Sequence, residues 1–269
     1  MSPMKLALFS DIHANLQALQ ACMDHARAQS ATQLAFLGDL VGYGGSPTEV
    51  LDTVMQAVEQ GAWAVRGNHD DVALHPPRHI QHQGEQGAQW THDQLGRHHQ
   101  DFLQHLPLLA PHGRILLVHA SAHHPERWPY VENSVMAERS MAAASDLDPG
   151  IRYVFSGHVH QQALYYRTPT AKLMRFVPQP GVPIPVPSHR QWLGIVGACG
   201  QPRDGDLRAI HALRRDLIAR IELGSSQYAL RSLLNNQPAV AIPVFQRPGS
   251  NAIEISDSVR GRMAELKKS

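Results

Sequence analysis

The chain has 269 residues, of which 43% are hydrophobic and 17% are charged. This composition indicates a folded globular protein with a substantial core and excludes an intrinsically disordered one. Lysine and arginine number 24 against 23 for aspartate and glutamate. The resulting net charge of +1 provides no global field that would attract nucleic acid or an anionic membrane.

The N-terminus and the cysteines favour the cytoplasm. The first 11 residues contain one lysine and a short apolar run that ends at Asp11, which is too short for a signal peptide. No stretch approaches the roughly 18 apolar residues of a membrane span. Cys22 and Cys199 can form at most one disulfide and match no zinc spacing. We therefore expect a cytoplasmic protein without a membrane span.

Short apolar runs alternate with amphipathic stretches over the first 65 residues. Three of the runs are typical of buried strands: residues 5–10, 34–37 and 62–65. Apolar residues recur at spacings of three and four between positions 16 and 26 and between positions 47 and 59, which predicts two helices. This alternation indicates a parallel sheet with right-handed crossovers.

Beyond residue 68, the regular alternation of apolar runs and amphipathic stretches ends. Residues 69–106 are predicted to be helical and polar, and another helix is predicted over 134–144. Strands are predicted at 115–119 and 152–156. Beyond Gln161, five short pieces predict a second, mostly antiparallel sheet: 163–166, 173–177, 192–196, 207–213 and 217–222.

Proline-rich and charged segments mark the C-terminal region. Residues 177–187 alternate prolines, which favours a stiff extended connector over a partner-binding strip. A short helix is predicted over 228–234. We expect one domain over residues 1–223 and a tail over 224–269 that docks only partly or is disordered.

Polar clusters follow five of the predicted strands at the point where each strand ends. They are Asp11-x-His13, Gly38-Asp39, Gly67-Asn68-His69-Asp70, His119 and Gly157-His158-x-His160. Because ligands bind beyond the carboxyl ends of strands in open α/β sheets, we expect these clusters to share one crevice. Oxygen and nitrogen donors without a thiolate suit ions such as Mn²⁺, Fe and Zn²⁺. Asp39 is the natural candidate for a carboxylate that bridges two ions.

Two of these motifs carry a spacing argument. In an extended chain, residues i and i+2 point to the same side, so Asp11 with His13, and His158 with His160, can converge on one metal or straddle two. Each motif alone is weak, because a lone buried histidine is more often a hydrogen-bonded core residue than a ligand. Five motifs in order, each after a predicted strand, favour a metal centre.

The series D-x-H, G-D, G-N-H-D, H and G-H-x-H resembles the calcineurin-like metallophosphoesterase family, over residues 4–215. More narrowly, GDLVGYG at 38–44 and GQPRDGD at 200–206 resemble the bacterial diadenosine-tetraphosphatase-like or protein-phosphatase-like subgroup. The resemblance implies an α/β fold, a four-layer αββα sandwich in which two mixed β-sheets are flanked by helices.

The resemblance also implies roles for individual residues. One metal would be bound by Asp11, His13, Asp39 and His160, and the other by Asp39, Asn68, His119 and His158. The expected cofactors are two divalent transition-metal ions, with Mn²⁺ favoured over Fe, Zn²⁺ and Ni²⁺. A hydroxide that bridges them would attack phosphorus in line with the leaving oxygen. His69 would lie beside the substrate without binding metal, and would stabilise charge or protonate the leaving group.

Gly42 and Tyr43 depart from the pattern of the Ser/Thr phosphatases in this family, which have Asp and Arg at the corresponding positions. This argues against a close eukaryotic-type protein phosphatase and leaves open which residue orients His69. Asp70 and Asp71 are candidates, although Asp70 could equally cap the next helix. The segment before residue 200 reads Ile-Val-Gly-Ala where the subgroup usually has Asn-Pro-Gly-Ser, which weakens any transfer of substrate specificity.

Three further residues are candidates for substrate contacts. Arg66 precedes the G-N-H-D motif and Arg203 lies in GQPRDGD, and a surface salt bridge is the alternative for both. His123 follows His119 and either lines the pocket or lies in a plain surface loop. Eight other histidines occur with irregular spacing, which favours a solvated helical lid over extra metal sites: 75, 79, 82, 92, 98, 99, 105 and 112.

We therefore expect a metal-dependent phosphoesterase that acts on a small phosphorylated molecule: a phosphomonoester, a phosphodiester or a dinucleoside polyphosphate. One alternative is a bacterial Ser/Thr or Tyr protein phosphatase. Another is a non-catalytic metal-binding scaffold, but this predicts lost ligands, and all the ligand positions are present. The balanced charge offers no basic groove for nucleic acid. The oligomeric state is left open.

Overall fold

The computed structural model describes residues 4–77, 83–168, 170, 172–178, 183–187, 189–203, 210–214, 220–224, 232–234 and 237–239. The chain divides into two compact units, Met1–Gln227 and Tyr228–Ser269. The helices are α1 (Leu16–Ala28), α2 (Pro47–Glu59), α3 (Asn68–Leu74), α4 (Gln83–Gln94), α5 (Arg97–His105) and α6 (Ser134–Leu147). The strands are β1 (Lys5–Phe9), β2 (Gln33–Phe36), β3 (Trp63–Ala64), β4 (Leu109–His112), β5 (Ile115–Val118), β6 (Tyr153–Ser156), β7 (Gln162–Arg167), β8 (Leu173–Phe176), β9 (Ile184–Pro185), β10 (Trp192–Val196), β11 (Ile210–Arg214), β12 (Arg220–Gly224), β13 (Ser232–Leu234) and β14 (Gln237–Ala239).

Two mixed six-stranded sheets form the first unit. The first has the order β3-β2-β1-β11-β12-β9, in which β1, β2 and β3 are parallel and the other three strands are antiparallel to their neighbours. The second has the order β4-β5-β6-β10-β7-β8, in which β5, β6 and β10 are parallel. The expected two-sheet α/β fold flanked by helices is thus confirmed.

The core explains why the layers stay together. Alternate residues of both sheets, such as Leu6, Leu8, Leu117 and Phe155, meet in one buried cluster between the sheets. The intervening residues of the second sheet face the other side and pack against Ala137, Met141 and Ala144 of α6. They include Leu116, Val118, Val154, Leu193 and Ile195. A period of two in the strands therefore separates an inter-sheet core from a helix-facing core.

Three sequence predictions of the fold need correction. The strands beyond Gln161 do not form a sheet of their own: β7, β8 and β10 complete the second sheet, and β9, β11 and β12 extend the first from the free edge of β1. An open edge leaves backbone groups unpaired, and β11 pairs them. Strand β4 was missed, because its sequence LAPH contains a proline. Ser232–Leu234, predicted to be helical, is a strand that pairs with β14.

The remaining predictions for the C-terminal region fall largely on residues outside those described. In the proline-rich stretch, Ile184–Pro185 pairs with β12, and residues 179–182 lie outside the described part. The division into residues 1–223 and 224–269 stays a prediction. Over the described ranges, none of the helices has both the length and the apolar character needed to cross a membrane.

Candidate metal centre

The carboxyl ends of strands from both sheets meet at one buried place. Asp11 follows β1, Asp39 follows β2, His119 follows β5 and His158 follows β6. At this place, potential ligand atoms lie within 4.8 Å of one another in two groups: Asp11, His13, Asp39 and His160, and Asp39, His119 and His158. The structure adds Asn68 to the second group, because its Oδ1 lies 3.1 Å from Nε2 of His119.

Asp39 belongs to both groups through a single oxygen atom. Its Oδ2 lies 3.3 Å from Nε2 of His119 and 3.7 Å from Nε2 of His13. Its Oδ1 accepts a hydrogen bond of 2.8 Å from the backbone N–H of His69. One carboxylate oxygen therefore faces both groups while the other anchors the side chain, which is the arrangement that a bridging ligand requires.

Three of the imidazoles are anchored to backbone carbonyl groups through Nδ1. The Nδ1–H of His13 donates to the carbonyl of Val41 at 3.2 Å, and that of His119 donates to Leu37 at 2.7 Å. The Nδ1–H of His160 donates to Gln201 at 2.6 Å. Since a carbonyl can only accept, these bonds place a proton on each Nδ1, so the neutral form of each ring has the lone pair of its Nε2 directed to the centre.

Close contacts between ring nitrogens occur in both groups, and in the first group neutral rings have no proton to place between them. Nε2 of His13 and Nε2 of His160 are 3.2 Å apart, although both rings have already placed their N–H on a carbonyl. In the second group, Nδ1 of His158 lies 3.2 Å from Nε2 of His119, and the buried Nε2 of His158 has no hydrogen-bond partner. In the first group, lone pairs at this distance repel unless a cation lies between them. In the second group, a proton on Nδ1 of His158 satisfies the contact with His119 but leaves the buried Nε2 of His158 without a partner. The donor set therefore fits a bound metal ion in each group.

Asp11 is held by hydrogen bonds from its own neighbourhood. Its Oδ2 accepts from Oγ of Ser10 at 2.7 Å and from the backbone N–H of His158 at 2.9 Å. Its Oδ1 remains directed to the first group, 3.2 Å from Nε2 of His160. The bond to His158 also joins the loop after β1 to the loop after β6, so the two sheets meet at this carboxylate.

The ligand loops have a left-handed backbone, whereas the i, i+2 spacing of their ligands was interpreted as an extended backbone. The φ angles are 52° at Asp11, 50° at His13, 51° at Asp39, 66° at His158 and 60° at His160. Residues other than glycine rarely adopt such angles, and each costs of order 1–3 kcal/mol. The two i, i+2 pairs do converge, but through tight turns: Asp11 and His13 share one group, and His158 and His160 straddle two.

The electrostatics of the centre favour positive charge. Burial alone would lower the pKa of His119, but the carboxylates of Asp39 and Asp11 raise it to about 9. Burial alone would raise the pKa of Asp39, but His119 and His13 hold it well below its usual range. Burial lowers the pKa values of His13 and His158 to about 4, so these rings stay neutral. The buried carboxylates therefore attract a cation, and a metal would displace the proton of His119.

His69 lies beside the two groups but belongs to neither of them among the described residues. Its ring is 4.9 Å from that of His13 and 4.4 Å from that of Tyr43. Gly42 has a φ of +89°, and a Cβ atom there would lie 2.7 Å from Nδ1 of His69. The Gly42-Tyr43 pair, which departs from the protein phosphatases, thus forms the wall beside His69: Gly42 permits the approach, and Tyr43 packs against the ring.

Asp70 caps helix α3 and does not orient the ring of His69. Its Oδ2 accepts from the backbone N–H of Gly67 at 2.9 Å, and its Oδ1 accepts from those of Leu40 and Val41 at 2.8 and 3.1 Å. Burial, followed by the charge of Asp39, raises the pKa of Asp70 to about 7. The side chain thereby ties α3 to the loop that carries Asp39.

This role of Asp70 predicts a loss of stability on substitution. Asp70→Ala is expected to lower the free energy of unfolding by about 3 kcal/mol or more, because three backbone N–H groups lose a buried acceptor at about 1–3 kcal/mol each. Urea unfolding followed by circular dichroism measures the change. The neighbouring Asp71→Ala serves as the control: its carboxylate is 40% exposed and pairs with Arg66 at 3.6 Å, so a loss of under about 1 kcal/mol is expected. Equal losses in the two variants would contradict the capping role.

The candidate substrate contacts differ in position. Arg66 pairs with Asp71, which favours the salt-bridge alternative. The backbone N–H of Arg203 donates to the carbonyl of His160 at 3.2 Å, so Arg203 adjoins the centre. His123 donates its backbone N–H to Oγ of Ser121, and its ring lies 4.3 Å from that of His124. The contacts of these three side chains with a substrate stay predictions.

Two features, one at the centre and one between α2 and α5, had not been predicted. The ring of Tyr130 stacks on that of His158 at 3.9 Å and 26°, and no motif marks this tyrosine. In the histidine-rich region, His98 and His99 lie close to Asp52, in a group that could hold a metal ion. Sequence spacing does not show this group, because Asp52 comes from α2 whereas both histidines come from α5.

Comparisons with known proteins agree with this site. The family model described as calcineurin-like phosphoesterase matches residues 4–162, more than half of the chain, and the chain belongs to this family. It is 31% identical to a metallophosphoesterase from Sphaerobacter thermophilus, whose crystal structure superposes with a TM-score of 0.71 over 85% of this chain and 90% of that one. A second model, of the AcrB/AcrD/AcrF family, matches residues 209–269, too small a part to show membership.

Two further relatives are similar over most of their length. An uncharacterized protein of Methanocaldococcus jannaschii is 26% identical over 232 residues, which cover 84% of this chain and 88% of the relative. A hypothetical protein from Pyrococcus horikoshii OT3 is 15% identical, with a TM-score of 0.61 over 83% of this chain and 89% of that one. The second similarity shows a shared fold.

Proposed function

We propose that this protein is a metal-dependent phosphoesterase that hydrolyses small phosphorylated molecules: phosphomonoesters, phosphodiesters or dinucleoside polyphosphates. One observation carries the proposal: two groups of buried oxygen and nitrogen donors share a single carboxylate oxygen of Asp39, and their ring nitrogens face one another at 3.2 Å. Such a paired donor set suits two cations of a hydrolytic centre. Membership in the phosphoesterase family supports the same reaction class.

The residues that would hold the metals form two sets, which correspond to the two groups of donor atoms at the centre. Asp11, His13, Asp39 and His160 would hold one ion, and Asp39, Asn68, His119 and His158 the other. Two divalent cations supply positive charge to phosphate oxygens and lower the pKa of coordinated water. Imidazole ligands suit Fe, Zn²⁺ and Ni²⁺, and carboxylate ligands suit Mn²⁺, which we propose as the favoured ion.

Among the described residues at the centre, His69 is placed to act on the substrate without binding metal. Its backbone is fixed on Asp39, while its ring lies beside the donor groups and stays outside them. Burial lowers the pKa of this ring, so the neutral form is present near pH 7. A neutral imidazole can donate its N–H to a phosphate oxygen or to the leaving oxygen, and so stabilise the charge that develops there.

The alternatives explain less of the structure. A Ser/Thr or Tyr protein phosphatase would use the same centre, but Gly42 and Tyr43 occupy the wall beside His69 where the Asp and Arg of Ser/Thr phosphatases would be. A non-catalytic scaffold gives no reason to keep His69 beside an intact donor set. The cytoplasmic location expected from the sequence is part of this proposal.

Metal analysis combined with a substrate panel tests the proposal. We expect the purified protein to carry close to two equivalents of transition metal by mass spectrometry. With Mn²⁺ added, it should hydrolyse aryl phosphates, bis-aryl phosphates or dinucleoside polyphosphates. A folded protein that binds no Mn²⁺, Fe²⁺, Zn²⁺ or Ni²⁺ and turns over none of these substrates would favour the scaffold.

A further inference from the structure

Two exposed aromatic rings lie over buried ligands on different sides of the centre. Tyr43 is 56% exposed, and its ring lies 4.7 Å from that of His13 in the first group. Tyr130 is 45% exposed, and its ring stacks on that of His158 in the second group. Each tyrosine therefore covers a buried ligand and still presents part of its ring to solvent at the mouth of the centre, where a planar group could stack on it.

A cavity of about 470 Å³ begins at Tyr130. Val159, which separates the ligands His158 and His160 in sequence, is part of its lining, so the cavity and the centre share a wall. The volume lies within the range of about 300–1,000 Å³ typical of small-molecule sites and exceeds what a phosphate group alone would fill. The cavity can therefore hold a part of the substrate other than the phosphate that is attacked.

The charges around the cavity are positive in sum. Arg175 and Arg203 both line it, and among its lining residues Glu132 is the one carboxylate. Nε of Arg175 donates to the phenol oxygen of the buried Tyr165 at 3.1 Å, which holds that guanidinium against the wall. Arg203 is held at its backbone, by the bond to His160. Two guanidinium groups on one cavity are suited to a carboxylate or a phosphate.

We propose that this cavity is the leaving-group subsite, and that it selects phosphoesters whose leaving group has both an aromatic ring and a second anionic group. The inference rests on the proposed function. In the reaction, water adds its oxygen to phosphorus, the bond between phosphorus and the leaving oxygen breaks, and the leaving oxygen takes up a proton. The ring of the leaving group packs on Tyr130, and its anionic group meets Arg175 and Arg203.

Four phosphomonoesters that cross the two features test the subsite. 4-Carboxyphenyl phosphate has a ring and a second anion, 4-nitrophenyl phosphate has a ring alone, 3-phosphoglycerate has an anion alone, and glycerol 1-phosphate has neither. Aryl and alkyl esters differ in intrinsic reactivity, so the informative quantity is the change in kcat/KM that each substitution causes. Metal content is measured for every variant.

Tyr130→Ala is expected to lower kcat/KM about 10-fold for both aryl substrates, the size of an aromatic pair, and less than about twofold for both alkyl substrates. Trp90→Ala is the matched control, since Trp90 is an aromatic residue of α4 with a similar exposure of 44%. We expect it to change none of the four values. An equal loss on all four substrates, or loss of metal, would overturn the subsite and assign Tyr130 to the support of His158.

Arg175→Gln is expected to lower kcat/KM about 10-fold for the two substrates with a carboxylate and to leave the other two unchanged. Arg97→Gln is the matched control, because Arg97 is a 94% exposed arginine of α5 that pairs with Asp101 and lies outside the lining of the cavity. We expect it to change none of the four values. If the wild type hydrolyses these esters but Tyr130→Ala and Arg175→Gln each lower kcat/KM equally for all four, the subsite is wrong and the proposed function stands. If the metal-loaded wild type hydrolyses no phosphoester, the proposed function itself fails.

Discussion

Asp39→Asn is expected to abolish both metal binding and turnover, with a loss in kcat/KM of more than about 100-fold, because even the outer partners of metal ligands contribute 10- to 100-fold. The substitution removes the negative charge that both donor groups share. It also leaves no good orientation for the amide. If the NH₂ faces His13 and His119, no lone pair remains for a cation. If it takes the place of Oδ1, it opposes the backbone N–H of His69.

Metal content by mass spectrometry and turnover of an aryl phosphate measure the two losses of this variant. Asp24→Asn is the matched control, since Asp24 is a 71% exposed carboxylate of α1 that pairs with Arg27 and belongs to none of the groups of potential metal ligands among the described residues. Circular dichroism establishes that both variants are folded. An Asp39→Asn protein that retained two metal equivalents and full turnover would show that the shared oxygen is not a bridge.

His69→Asn is expected to lose most of the turnover but to keep the bound metals, whereas Asp39→Asn is expected to lose both. Turnover should fall by about 10²- to 10⁴-fold, the usual contribution of a group that donates or accepts a proton in the transition state. Both metals should remain, because the bond that His69 makes to Asp39 comes from its backbone and survives the substitution. KM should change less than kcat, since the ring acts on the charge that develops during the reaction.

The same two measurements apply to the histidine variant. His105→Asn is its control: this exposed ring bonds through Nδ1 to the carbonyl of Asp101 within its own helix, away from the centre. Release of one metal by His69→Asn would move His69 from the substrate to the ligand set. Unchanged turnover would instead show that His69, which lies against Gly42 and Tyr43, has no catalytic role.

The parallel strands β1, β2 and β3 of the first sheet and the position of the site could be predicted from sequence because their signals are local. The apolar run 5–10 and the periodic residues of α1 and α2 each identify their own element. A polar residue directly after a strand then lies at the sheet edge whatever the rest of the chain does. The predicted convergence of Asp11, Asp39, Asn68, His119 and His158 depends on this alone, and the structure brings these residues together.

What the sequence could not predict depends on partners distant in the chain. The pairing of β11 with β1 joins residues about 200 positions apart, and strand composition carries no information on which free edge it will meet. The left-handed turns at Asp11 and His158 follow from hydrogen bonds between different loops, such as His158 N–H to Asp11. Tyr130 was missed for the same reason, since a stacked ring has no sequence period.

Ligands from the loops of both sheets have a consequence for the lifetime of the chain. The loops after β1, β2 and β3 supply Asp11, Asp39 and Asn68, whereas those after β5 and β6 supply His119 and His158. Ions bound among them would hold the two sheets together at one edge. A ligand that binds only the folded chain stabilises it, and so lowers the population of unfolded, protease-sensitive forms. A cell depleted of the metal would then lose the protein by degradation as well as its activity, without a dedicated regulator.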